Sequence, residues 1–189
     1  MPSFIDVIDI MAGRSVSFMN ALIFGKFAPL HYGHIHLIQT ALDHSGVEDR
    51  VYVLVSDNPE IAIASSIVRA QWIRESIVDG RLRVIPTGEF PPSGRSVEAQ
   101  RANFVYMCQM LPEGVCIDRV YCNEWYGAHI ARDFGAQWVQ VDPQRCRYPI
   151  SATQIRDDPR RHAEFLPPPV QQRYTVQRSE HEKMNDDKE

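Results

Sequence analysis

Apolar residues along this chain change their period repeatedly, and each change marks an element. "FMNALIF" (18–24) is a nearly continuous apolar run, the pattern of a buried strand. "HIHLIQTALDHS" (34–45) then places Ile35, Ile38, Ala41 and Leu42 at helical spacing. "RVYVLVS" (50–56) is a β-branched run suited to a strand buried on both faces. "SSIVRAQWIRESIVDG" (65–80) returns to the helical period, with Ala70, Ile73 and Ile77 on one stripe and Gly80 as its stop. "RLRVIPTG" (81–88) predicts a third strand, and "VEAQRANFVYMCQMLP" (97–112) a third helix after the turn-rich "EFPPSGRS". "IDRVYC" (117–122), "WYGAHIARDF" (125–134) and "QWVQVD" (137–142) continue as strand, helix and strand.

Strands alternating with helices imply right-handed crossovers, hence an α/β fold: a Rossmann-like parallel sheet with helices on both faces. Ligands of such sheets bind at the carboxyl ends of strands, where the strand order reverses. Two unusual stretches fall at such ends, "GKFAPLHYGH" (25–34) and "CNEWYG" (122–127). The last third differs, being rich in Arg and Pro; Pro159 after an Asp predicts a helix start in "DDPRRHAEF", and "LPPP" closes it. The chain divides into an extension (1–17), one domain (18–176) and a charged tail (177–189) expected to be disordered.

Composition narrows the classes of function. The 189 residues suffice for one domain with a substantial core, and the net charge of −4 argues against a nucleic-acid binder. No apolar run reaches the ~20 residues of a membrane span. Asp6 and Asp9 interrupt the N-terminal apolar stretch, so it does not read as a secretory signal. Cys108, Cys116, Cys122 and Cys146 form neither a C-x-x-C pair nor an even framework, which predicts buried or inert thiols in a cytoplasmic protein.

The 25–37 stretch "GKFAPLHYGHIHL" carries the first candidate chemistry. Gly25 lets a ligand approach or takes a positive φ, Lys26 supplies a point charge, and Pro29 stiffens the turn. His31 and His34 lie a turn apart at a helix start and can face the same anion-attracting space. The plainer alternative is that one histidine caps the helix while the other is a surface residue. A metal cluster of His31, His34 and His36 is a third option, disfavoured because His36 points away and no Cys or carboxylate joins it. The second stretch, "PISATQIRDDP" (149–159), sets Ser151 and Thr153 ahead of a helical turn from which Arg156 projects. Hydroxyl, backbone N–H and guanidinium at that spacing make a phosphate clamp or, more plainly, a capped helix with a surface Arg.

Together the two stretches are far more specific than either alone. "GKFAPLHYGH" resembles the G-x-F-x-P-x-H-x-G-H signature of the nucleotidyltransferase superfamily with HIGH-like motifs, and "ISATQIR" its I-S-x-T-x-x-R segment. With "VYCNEW" and "VDPQRCRYPISATQIRDDPRRHAEFLPPPV", roughly residues 18–175 are similar to the adenylyltransferase domain of the bifunctional bacterial NMN adenylyltransferase/ribosylnicotinamide kinases, here standing alone. The resemblance implies transfer of AMP from ATP to nicotinamide mononucleotide (NMN), giving NAD and pyrophosphate by direct in-line attack. It implies that His31, His34 and Arg156 are catalytic, with Gly25, Lys26, Phe27 and Ala28 lining the phosphate cradle. Ser151 with Arg156 would bind the β- and γ-phosphates, Ile150, Ala152 and Thr153 would belong to the same ATP site, and Cys122, Asn123 and Glu124 would help hold the adenosine half. Mg²⁺ would ride on the triphosphate, with no dedicated protein metal site.

One departure bears on the acceptor. Relatives stack an aromatic residue, usually Trp, on the nicotinamide from the segment after the third strand. Here "GEFPPSGRSVEAQRANF" holds no Trp, leaving Phe90, the plane of Arg95, or Trp125 from elsewhere; Trp72 sits on a core stripe. A different phosphorylated acceptor, or a non-catalytic nucleotide-binding regulator, are the competing readings. No nucleic-acid or membrane partner is expected, and a homo-oligomer is allowed.

Overall fold

The computed structural model describes residues 18–59, 61, 63–89, 91 and 96–172. Five strands form one wholly parallel sheet: β1 (Asn20–Gly25), β2 (Arg50–Asp57), β3 (Leu82–Glu89), β4 (Arg119–Tyr121) and β5 (Gln137–Val139). Their order is β3-β2-β1-β4-β5, so the direction of travel reverses between β1 and β4. The helices are α1 (Tyr32–Asp43), α2 (Ser66–Ser76), α3 (Val97–Met110), α4 (Gly127–Phe134) and α5 (Ala152–Asp157).

The period-two alternation of the strands sorts these helices onto two faces. Ala21, Ile23, Val51, Val53 and Val55 pack with Ile38 and Leu42 of α1, Trp72 and Ile73 of α2, and Ile155 of α5. Leu22, Tyr52, Leu54 and Val120 pack with Met107 of α3 and with Ile130 and Ala131 of α4. The whole of 51–56 is buried, as a strand covered on both sides requires. Trp72 is core. Among the described residues no helix is long and apolar enough to cross a membrane.

Several element ends differ from the sequence expectation, each for a local reason. α2 stops at Ser76, four residues before Gly80, because β-branched Ile77 and Val78 leave the helix and Asp79 accepts hydrogen bonds from the Arg81 backbone and guanidinium. β5 ends at Val139 because Asn123 Oδ1 accepts from Val141 N at 2.8 Å and Asp142 N at 3.3 Å, drawing the chain off the ladder. In place of a helix over "DDPRRHAEF" there is a 3₁₀ turn at Ala163–Phe165, since Pro167 forces Leu166 into extended backbone. Leu166 and Val170 nevertheless bury fully against the α1 face. Cys122 is buried, but Cys108, Cys116 and Cys146 are exposed free thiols, because their elements present them to solvent. The extension (1–17) and the tail (177–189) lie outside the described residues.

Gly127 opens α4 at the tightest approach of any described glycine. A Cβ there would sit 2.5 Å from Trp138 Nε1 and 2.7 Å from Cys122 Cβ. Trp138 Nε1 donates to the Cys122 carbonyl at 2.7 Å, tying β5 to the end of β4. Gly127→Ala should therefore destabilise the protein by about 1–3 kcal/mol, read as a lowered denaturant midpoint with altered tryptophan fluorescence.

Candidate active site

The loop leaving β1 owes its shape to one residue in the left-handed region. The sequence suggested Gly25 for that role, but the positive φ falls on Phe27, at 50°, with its ring buried. A Cβ on Gly25 would meet only ordinary contacts with the Phe27 ring, so neither backbone conformation nor crowding within the chain requires a glycine there. Phe27 meets His34 edge-on, with ring centroids 5.0 Å apart. Two guanidinium contacts hold this loop: Arg69 donates to the Lys26 carbonyl, and Arg156 Nη1 donates to the Ala28 carbonyl at 2.8 Å.

His31 caps α1. Its Nδ1 accepts from Gly33 N at 3.1 Å, which leaves the ring hydrogen on Nε2 in the neutral form. His34 stacks on it with centroids 3.7 Å apart. Gly33 makes this possible, because a Cβ at that position would lie 3.0 Å from the His31 ring. Burial, reinforced by Arg145, lowers the His31 pKa to about 4. Burial, then His31 and Arg145, hold His34 well below its ordinary value. Both imidazoles are thus neutral at pH 7. His34 Nδ1 is also buried without a hydrogen-bond partner, a cost of about 1–3 kcal/mol that packing alone does not explain. Of the plainer alternative, the cap is present at His31, but His34 is not a surface residue, and both residues line one cavity.

The second motif closes on the first. Ser151 forms a capping box with Gln154, accepting from its backbone N at 3.2 Å while Gln154 Oε1 accepts from Ser151 N at 2.9 Å. Arg156 Nη2 donates to Thr153 Oγ1 at 2.9 Å, so one guanidinium spans both motifs across 128 positions of sequence.

Over the carboxyl ends of β1 and β4 lies a cavity of about 560 Å³. Every described residue that the resemblance assigns to the site lines it: His31, His34 and Arg156; Gly25, Lys26, Phe27 and Ala28; Cys122, Asn123, Glu124 and Trp125; and Ile150, Ser151, Ala152 and Thr153. Phe90 and Arg95 lie outside the described residues. Asn123 is the member whose observed bonds are structural, its oxygen being engaged by Val141 and Asp142. Burial pushes the Cys122 thiol up to about 11, so it is an inert wall and not a nucleophile.

Sequence reasoning missed further lining residues. Arg145, inside the quoted "VDPQRCRYP", adopts φ 53° at the rim and pairs with Glu124 at 3.2 Å. Its turn is pinned by Asp142, whose carboxylate accepts from Cys146 N and Arg147 N. Phe24 and Tyr126, with ring centroids 5.6 Å apart, form an aromatic wall beside Trp125. Gln100, Asn103 and Met107 line the cavity from α3 at i, i+3 and i+7, a stripe legible in the sequence once α3 is placed. His36 instead faces Tyr148, and among the described residues no three His, Cys, Asp or Glu side chains converge as a metal site.

The arrangement can receive an extended anion at its basic end and flat, weakly polar groups along its aromatic end. Residues 22–158 match the cytidylyltransferase-like family. The trifunctional NAD biosynthesis/regulator proteins NadR of Escherichia coli and Salmonella typhimurium are each 29% identical over 163 residues, covering 79% of this chain and 39% of theirs. The chain thus spans about two fifths of the length of these curated relatives. A crystal structure of NadR in complex with NAD and AMP-PNP is similar in fold, with a TM-score of 0.51 at 23% identity, covering 78% of this chain and 44% of that one. Since the family match covers well over half of its length, this chain belongs to the cytidylyltransferase-like family of the nucleotidyltransferase superfamily.

Proposed function

We propose that this chain transfers the adenylyl group of ATP to NMN, forming NAD and pyrophosphate. The observation that carries the reading is the stacked, neutral pair His31 and His34, held in one cavity with Lys26, Arg145 and Arg156. The relatives' description as NAD biosynthesis proteins, and the neighbour's complex with NAD and AMP-PNP, support the choice of ligands. Only the adenylyl transfer is proposed, because the chain matches a minority of those longer proteins.

On this reading an oxygen of the acceptor phosphate attacks the α-phosphorus of ATP in line. The bond from that phosphorus to the α,β-bridging oxygen breaks, and pyrophosphate leaves with the electron pair. No covalent enzyme intermediate is needed. The protein contributes alignment and stabilisation of charge on the oxygens around the phosphorus. His31 Nε2–H and His34 would contact the phosphates beside Lys26, while Thr153 and Arg156 hold the leaving pyrophosphate. Mg²⁺ would arrive on the triphosphate. The carboxylates nearest the cavity fit that arrangement, since Glu124 pairs with Arg145 and Asp142 accepts backbone hydrogen bonds.

A second acceptor remains in play for one reason: the segment 88–101 holds no Trp to stack on a nicotinamide ring. Incubation with ATP, Mg²⁺ and a panel of phosphorylated acceptors separates the readings. Pyrophosphate release with NMN is expected; release only with another acceptor replaces NMN, and release with none leaves a nucleotide-binding regulator. His34→Ala should keep the fold by circular dichroism and lose about 10²–10³ in kcat. Near-normal turnover in that folded variant would overturn the catalytic role.

The low pKa values of the histidines give a second test. A triphosphate placed beside them favours their charged forms and raises their pKa values in the complex. Between the free and bound values, ATP binding then takes up protons, and affinity falls as pH rises through that window. Calorimetry near pH 6 in buffers of different ionisation enthalpy should give different apparent enthalpies, with less dependence in His31→Ala. Buffer-independent enthalpies would mean that both rings stay neutral donors.

A further inference from the structure

Two of the three buried side-chain polar atoms that lack a hydrogen-bond partner among the described residues belong to the cavity: His34 Nδ1 and Asn103 Oδ1. The mechanism uses the first and leaves the second without a role. Asn103 stands on the inward stripe of α3, one turn before the fully buried Met107, where a leucine would serve packing better. A buried carbonyl oxygen with no donor destabilises the free protein, so its presence on the cavity wall calls for a donor that arrives from outside.

The surroundings restrict that donor. Sharing the cavity with this stripe of α3 are the aromatic residues Phe24, Trp125 and Tyr126, and Glu124. Glu124 is paired with Arg145 at 3.2 Å, so its carboxylate is already balanced. Aromatic faces favour a flat ring that is neutral or positively charged.

We infer that Asn103 is a specificity-determining residue that reads a carboxamide on the acceptor ring. Its Oδ1 accepts from the carboxamide N–H₂, and its Nδ2 donates to the carboxamide oxygen, in one planar pair. A ring carboxylate of the same shape has no hydrogen for Oδ1 and sets an anion against its lone pairs. Discrimination between amide and acid then comes from a site polar group left unpaired by the wrong substrate. This rests on the reading of the chain as an NMN adenylyltransferase.

The test compares kcat/KM for NMN and for its deamidated, carboxylate analogue in the wild type and in Asn103→Leu, by pyrophosphate release with saturating Mg-ATP. The wild type should prefer NMN. The leucine variant should fold with an unchanged or raised thermal midpoint, because it removes an unpaired buried oxygen. It should lose roughly 10- to 100-fold in kcat/KM for NMN and much less for the carboxylate acceptor, with the KM for ATP unmoved. Asn103→Ala gives the same comparison if the leucine does not fold. A wild type that uses both acceptors equally, or an unchanged ratio in the variants, overturns the role of Asn103 while leaving adenylyl transfer to NMN intact. Release with neither acceptor in the wild type overturns that underlying reading instead, and the inference with it.

Discussion

The site depends on two guanidiniums that seize the backbone of a single loop. Arg69, only 2% exposed, donates to the carbonyls of Lys26, Ser56 and Ala64 and to the Asp57 carboxylate. Arg156 takes the Ala28 carbonyl from the other side. Between them sits Phe27 in the left-handed region, a conformation that costs a bulky residue on the order of 1–3 kcal/mol and persists only when its surroundings over-determine it. Burial alone lowers the Arg69 pKa, and its pairing with Asp57 opposes that shift. Such a buried cation adds little net stability, but it admits one arrangement of its acceptors. That arrangement presses the Phe27 ring against His34 and keeps the two imidazoles stacked.

The sheet's alternation explains why the cavity has two chemistries. Successive β1 residues face opposite layers, so Ile23 belongs with α1, α2 and α5 while Leu22 and Phe24 belong with α3 and α4. The loop that follows β1 carries its histidines onto α1 and meets α5, where the cations gather. Phe24 stays behind on the other face with Tyr126, Met107 and Asn103. Because β1 borders β4 at the reversal of strand order, no crossover covers this seam, and both environments open into one crevice. A ligand with phosphates in its middle and a flat ring at its end matches that sequence of surroundings.

Much of this was legible in the chain. Continuous and alternating apolar runs fixed five strands and their partner helices, because burial on one or both faces leaves a direct trace in residue order. The two phosphate-type motifs were legible because each concentrates rare residue types in a few positions. What escaped depends on contacts between distant positions. Nothing local says that Asn123 spends its oxygen on Val141 and Asp142, shortening β5. Nor does local sequence show that Arg145 adds to the burial that lowers the pKa values of two histidines more than a hundred residues earlier. Asn103 looks like an ordinary polar residue of an amphipathic helix until the topology turns its stripe toward the cavity. Glycine preference allows Gly25 either a close approach or a positive φ, whereas the positive φ of this loop falls on Phe27, between the two guanidiniums.

The neutrality of the resting histidines has a functional logic on the proposed reading. A permanently charged pair would bind any phosphate, including the pyrophosphate product, and would stabilise ground and transition states alike. Such uniform binding lowers KM without raising kcat. Burial and Arg145 keep both rings uncharged until an anion of higher charge density arrives, so their interaction grows with the charge they meet. Charge on the oxygens around the α-phosphorus is then countered most strongly while the bond is breaking. After the products separate, the rings return to their neutral state and release becomes easier. The orphaned Nδ1 of His34 fits the same logic, since the cost carried by the free protein is relieved when ligand binding lets that nitrogen take a proton or a partner.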